Sequence, residues 1–161
     1  MKNILRISAA AGLLALATAG TAFAGPTGPG PMAAASASSG AAVATSKVVY
    51  HVNEGTDKAA AALRNIGNHL DAEPGAKIVV VTHAAGIDFL LEGAKDKNGN
   101  PFDATVDTLM ARGVEFRVCR NTLTSRKIDP KHVISQASIV PSGVAEIGRL
   151  QAKEGYVYLK P

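Results

Sequence analysis

The chain has 161 residues, 47% of them hydrophobic, with 17 Lys and Arg against 13 Asp and Glu and a formal net charge of +4. It has no tryptophan and only 4% aromatic residues, so nucleic-acid bases would find few rings to stack on, and no Lys/Arg cluster is dense enough to follow a phosphate backbone. Nucleic acid is therefore not expected as a partner, and the single cysteine excludes a disulfide within the chain.

Residues 1–24 read as a cleavable export signal. Lys2 and Arg6 give the positive start, residues 7–17 give an apolar run close to the usual ~7–15, and Ala22-Phe23-Ala24 fits the small-residue rule for cleavage after Ala24. Thr18, Gly20 and Thr21 interrupt the run before it reaches the ~20 apolar residues of a membrane span, so no stable membrane anchor is expected. The expected location is the periplasm. Loss of Lys2 and Arg6 with the signal leaves 15 basic against 13 acidic side chains. Residues 25–46 contain Gly, Pro, Ala and Ser with no charged residue, a composition that does not offset the entropy of ordering; they read as a flexible leader.

Residues 47–161 are long enough for one α/β domain with its own core. Residues 47–53 alternate as a first strand. Residues 57–71 follow as an Ala-rich helix with Ala61, Leu63, Ile66 and Leu70 near one stripe and Thr56 or Asp57 as cap, ended by Pro74 and Gly75. The run Ile78-Val79-Val80-Val81 suits a central parallel strand buried on both faces. After it come His83, a short helical segment over residues 87–91, and a polar loop over residues 93–101, read as a lid if it lies near the site. Residues 103–112 form a helix ended by Gly113, and residues 114–119 form a third strand that ends on Cys119. A short helix (residues 121–126), a fourth strand (137–140), a helix (144–153) ended by Gly155 and a terminal strand (156–159) complete the pattern. Strand and helix alternate with connections long enough for crossovers, which predicts a mainly parallel sheet with helices on both faces.

In such a sheet every strand's carboxyl end lies on one edge, where open α/β folds bind their ligands. Cys119, Arg120 and Asn121 come there from the third strand, Asn53 from the first, His83 from the second and Ser142 from the fourth. Cys119 is the candidate catalytic residue: a thiol beside a helix N-terminus is held toward the thiolate by unpaired N–H groups and the helix dipole. Each of these residues also has a plainer role. For Cys119 it is that of a small buried hydrophobe. His83 is a base, a ligand or a strand-end residue bonded to backbone, and Arg120 is an anion partner or a solvated charge. Asn121 is most simply an N-cap, and Asn53 and Ser142 cap the helices after them. His51 falls on a sheet face, under a helix or at a subunit contact, and His69 and His132 are peripheral. Cys119 and His83, with or without His51, lack the close spacing of a metal-ligand motif, and neither a dinucleotide turn nor a phosphate loop occurs, so no metal or organic cofactor is expected.

The stretch Gly113-Val114-Glu115-Phe116-Arg117-Val118-Cys119-Arg120-Asn121-Thr122-Leu123, with Val-Tyr-His-Val-Asn at the domain start and the Ile-Val-Pro-Ser-Gly turn, resembles the DsrE-like family and in particular its small exported members. The resemblance implies a three-layer α/β/α domain with a five-stranded mainly parallel sheet, assembled as a trimer or hexamer. It also implies a persulfide carried on Cys119. On that basis the expected function is a sulfur carrier of sulfurtransferase type, with sulfur donor and acceptor proteins or small sulfur compounds as partners. The alternative is a non-catalytic oligomeric module that binds a ligand or partner and uses Cys119 structurally.

Overall fold

A computed structural model describes residues 45–161, so the expected signal and all but the last two residues of the leader lie outside the described residues. Five runs of the described residues form strands: β1 (Lys47–Val52), β2 (Lys77–Thr82), β3 (Glu115–Cys119), β4 (Ser138–Val140) and β5 (Val157–Leu159). The helices are α1 (Thr56–Ala72), α2 (Asp103–Ala111), α3 (Arg120–Ser125) and α4 (Gly143–Glu154), with 3₁₀ turns over Ala84–Leu90 and Pro130–His132. The strands pair in the order β4-β3-β2-β1-β5, and every pairing is parallel. The sheet is flanked by helices on both faces, the three-layer α/β/α arrangement.

The period of two along the strands divides the core. Val48, Tyr50 and Val52 of β1, Ile78 and Val80 of β2, and Phe116 and Val118 of β3 face one side. There they pack against Leu63, Ile66 and Leu70 of α1, Phe89 and Leu90 of the 3₁₀ segment, Val106 and Leu109 of α2, and Leu123 of α3. Val49, Val79 and Val81 face the other side, under Ile147 and Leu150 of α4. Each fully buried Phe, Ile or Leu in these layers contributes about 1.5–3 kcal/mol through the apolar surface it removes from water.

Strand order follows from the handedness of the crossovers. The connections β1–β2, β2–β3 and β3–β4 step in one direction with their helices on one face. The β4–β5 connection returns to the far edge, and a right-handed return has to place α4 on the opposite face. Adjacent strands β3 and β4 therefore send their following helices to opposite faces, which opens a crevice between α3 and α4 at the carboxyl ends of those strands.

Several local features differ from the sequence reading. Gly55 is the N-cap of α1 and gives no side-chain bond, so neither Thr56 nor Asp57 caps it. Helix α3 starts one residue early, and its N-cap is Cys119 instead of Asn121. The polar loop does not cover the strand ends near the cysteine. Asp96 holds its turn by accepting from the amides of Asn98 and Asn100 at 2.8 Å each, and the recess it borders is lined by Ala60, Leu63 and Arg64 of α1 with Thr105 of α2. Ser46, at the end of the leader, is tied to the domain: its amide and hydroxyl donate to Glu73 at 2.8 and 2.7 Å. No described helix is long and apolar enough to cross a membrane.

Candidate functional site

Strand β3 delivers Cys119 to the crevice between α3 and α4. The residue has the extended backbone of an N-cap (φ −71°, ψ 116°) and makes no side-chain capping hydrogen bond. The side chain is 4% exposed. Burial pushes the thiol pKa up, but the nearby Gly143 N–H, Thr122 hydroxyl and Thr122 and Asn121 N–H groups favour its anion and bring the pKa below its ordinary value. These groups come from the N-termini of two helices on opposite faces of the sheet, which only a topological switch point brings together.

The Thr122 hydroxyl is oriented by its second bond. Its oxygen accepts from the Ala84 N–H at 3.0 Å, which leaves its proton for Cys119. Ala84 itself has φ +51°, a conformation that is uncommon outside glycine. Arg126 secures it, donating to the Ala84 carbonyl at 3.1 Å and to Asp88 at 2.6 Å. The 3₁₀ segment lies against the end of β1 because Gly86 has no side chain: a Cβ there would fall 2.1 Å from the Val52 carbonyl oxygen.

His83 and Cys119 both lie beside Gly143: a Cβ on Gly143 would lie 3.3 Å from Cys119 Cβ and 3.4 Å from His83 Cβ. His83 Nε2 shares a 2.7 Å hydrogen bond with Nε2 of His51, and His51 Nδ1 shares another of 2.7 Å with the Tyr158 hydroxyl. Burial lowers both imidazole pKa values, with Lys160 adding to it at both and His83 also acting on His51. Both rings are therefore held toward the neutral form. Lys160 is paired with Glu54 at 3.3 Å.

The other residues expected at the site have lesser roles. Ser142 caps α4, its hydroxyl oxygen accepting from the Ala145 N–H at 3.4 Å, and so fixes the turn that aims Gly143. Arg120 is exposed and makes no hydrogen bond or ion pair among the described residues. Asn121 contributes its backbone amide while its side chain is exposed. Asn53 lies two strands away, beside His51, Glu54, Lys58 and Lys160, and its Oδ1 is buried without a partner. His69 bonds the Tyr50 hydroxyl at 2.9 Å. Among the described residues no group of three His, Cys, Asp or Glu could hold a metal ion. Thr122, Gly143 and Tyr158 were not evident from the sequence. The Ser-Gly helix start was the available signal for Gly143, whereas Tyr158 reaches His51 only because β5 pairs with β1.

A family model described as the DsrE/DsrF-like family matches residues 33–161. Among solved structures, protein MTH1491 of unknown function from Methanobacterium thermoautotrophicum is 27% identical, with a TM-score of 0.64 over 72% of this chain and 99% of its own. The ychN protein from E. coli is 17% identical and shares the fold, with a TM-score of 0.62 over 73% of this chain and 100% of its own. No curated protein matches the chain in sequence.

Proposed function

The chain belongs to the DsrE/DsrF-like family, which is associated with sulfur relay, and from that premise we propose that it is a sulfur carrier with Cys119 as the acceptor atom. The observation that carries this reading is the position of Cys119 between the starts of α3 and α4, whose N–H and O–H groups favour the thiolate against the effect of burial. A thiolate held by fixed N–H and O–H groups is a nucleophile near neutral pH, and the same donors would steady a persulfide anion. Attack on a sulfane sulfur loads Cys119, and an acceptor thiol then removes the sulfur, with no second cysteine and no cofactor required. In this reading the protein acts outside the cytoplasm after cleavage at Ala24, as a homotrimer or homohexamer, with small sulfur compounds or proteins as donor and acceptor. The half-exposed apolar residues Val144, Val157 and Leu159 offer surface for such an assembly.

The experiment is intact mass spectrometry of the mature protein after exposure to polysulfide. Addition of one sulfur atom, absent from Cys119→Ser, is the expected result. The burial of Cys119 favours a second reading, in which the cysteine is structural and the protein only binds a ligand or partner. In that case the thiol resists both sulfur and alkylating reagents until the chain unfolds.

A further inference from the structure

Tyr158, His51 and His83 form one hydrogen-bonded line along the carboxyl edge of the sheet, from β5 through β1 to β2. One end meets solvent, since Tyr158 lies on a short edge strand and is 37% exposed. The other end is His83, whose Cβ, like that of Cys119, lies beside Gly143, and whose Nδ1 has no hydrogen-bond partner among the described residues. Each bond needs one donor and one acceptor, so the direction of the first fixes all the others. A phenol with pKa near ~10 is the better donor and an imidazole nitrogen the better acceptor. The bonds therefore run Tyr158 O–H to His51 Nδ1 and His51 Nε2–H to His83 Nε2, which leaves the proton of His83 on Nδ1.

We propose that Tyr158 and His51 are positioning residues that hold His83 as its neutral Nδ1–H tautomer and supply it with protons from solvent, so that His83 protonates the sulfur displaced when Cys119 attacks. The proposal rests on reading Cys119 as a nucleophile. In the step, the Cys119 thiolate forms a bond to one sulfur of the donor, and the donor's S–S bond breaks with its electron pair on the leaving sulfur. That sulfur takes the Nδ1 proton of His83. The His51 Nε2 proton passes to His83 Nε2, the Tyr158 proton passes to His51 Nδ1, and water restores the phenol with the equivalent of the proton Cys119 released on ionising. One thiol enters and one leaves, with no net oxidation. The line now runs in reverse with His83 Nδ1 bare, which suits the second half of a carrier cycle, when an acceptor thiol has to lose its proton. Among the described residues the charged groups around the rings are Lys160, its partner Glu54 and, lining the same recess as His51, Lys58, and burial favours the neutral form of both rings.

The test separates proton supply from thiolate formation through the leaving group. Rates of reaction of Cys119 are measured with hydroxyethyl disulfide, whose basic leaving thiolate benefits from a proton, and with dithiobis-nitrobenzoate, whose acidic one does not. In Tyr158→Phe and His51→Gln the alkyl-to-aryl rate ratio is expected to fall about tenfold, below the 10²–10⁴ of a full general acid because His83 remains. An unchanged ratio, equal losses with both reagents, or a wild-type thiol silent to both overturns the proposal. Tyr158→Phe removes one oxygen from a half-exposed side chain and decides the matter if His51→Gln does not fold. A lowered ratio in a protein that takes up no sulfur from polysulfide leaves the proton line standing and removes the carrier; sulfur uptake with an unchanged ratio does the reverse.

Discussion

Gly143 packs against Cys119 with little room for a side chain: a methyl at Gly143 would lie 3.3 Å from Cys119 Cβ, with the Thr82 carbonyl oxygen at 3.2 Å. Gly143→Ala therefore pushes the start of α4, and with it the Gly143 amide, away from Cys119. The expected outcome is a loss of about 1–3 kcal/mol from overpacking, with the apparent thiol pKa moving back toward its unperturbed value. Alkylation rate against pH checks this, and a curve that superimposes on the wild type counts against the part given to that amide.

Thr122→Val keeps the shape of the side chain and removes its hydroxyl. Cys119 loses a donor and the Ala84 N–H loses its acceptor, so stability is expected to fall by about 1–3 kcal/mol while alkylation at neutral pH slows. Thr122→Ser should recover both. Urea unfolding and alkylation kinetics on the two variants make the comparison.

Stability should depend on pH through the same site. The folded thiol pKa is depressed despite burial, because the amides and hydroxyl around the sulfur favour its anion, while the unfolded value is ~8.5. Across that window the unfolded chain binds more protons, so stability rises with pH. The contribution is complete above ~8.5 and is lost as pH falls through the folded value. His51 and His83 act in the same direction lower on the scale: burial depresses both, so their share is present above ~6.5 and lost as pH falls through their folded values. Unfolding of wild type and Cys119→Ser from about pH 5 to pH 9 should show the upper slope only in the wild type and the lower slope in both.

Gly86 is the strictest position in the fold. A Cβ placed 2.1 Å from the Val52 carbonyl oxygen meets backbone, which has no rotamer by which to yield. Gly86→Ala is expected to cost about 4 kcal/mol or more, or to prevent folding, as measured by circular dichroism and urea midpoint.

The sheet was legible in the sequence because its signals are local. Ile78 to Val81 form an unbroken β-branched run, Val114 to Cys119 end where polar residues begin, and Gly155 stops α4 with φ +73° as a left-handed cap. Cys119 at a strand end followed from order alone. The groups around it did not, because they depend on strand order: Gly143 comes beside Cys119 from β4, and Tyr158 reaches His51 from β5, 107 residues along the chain. Asn121 misled for a related reason. A polar residue at a helix start suggests a side-chain cap, yet here the cysteine occupies the cap and Asn121 supplies only its amide.

Among the described residues helix α4 is the single helix on its face of the sheet, and it also carries the Gly143 amide beside Cys119. The sulfur's surroundings are therefore finished last in synthesis: a chain that has emerged only as far as β3 already contains Cys119 and the start of α3, but not the amide that crosses from the opposite face. Until the final crossover docks, the cysteine is an ordinary thiol. Completion of the surroundings of Cys119 is thereby tied to completion of the fold.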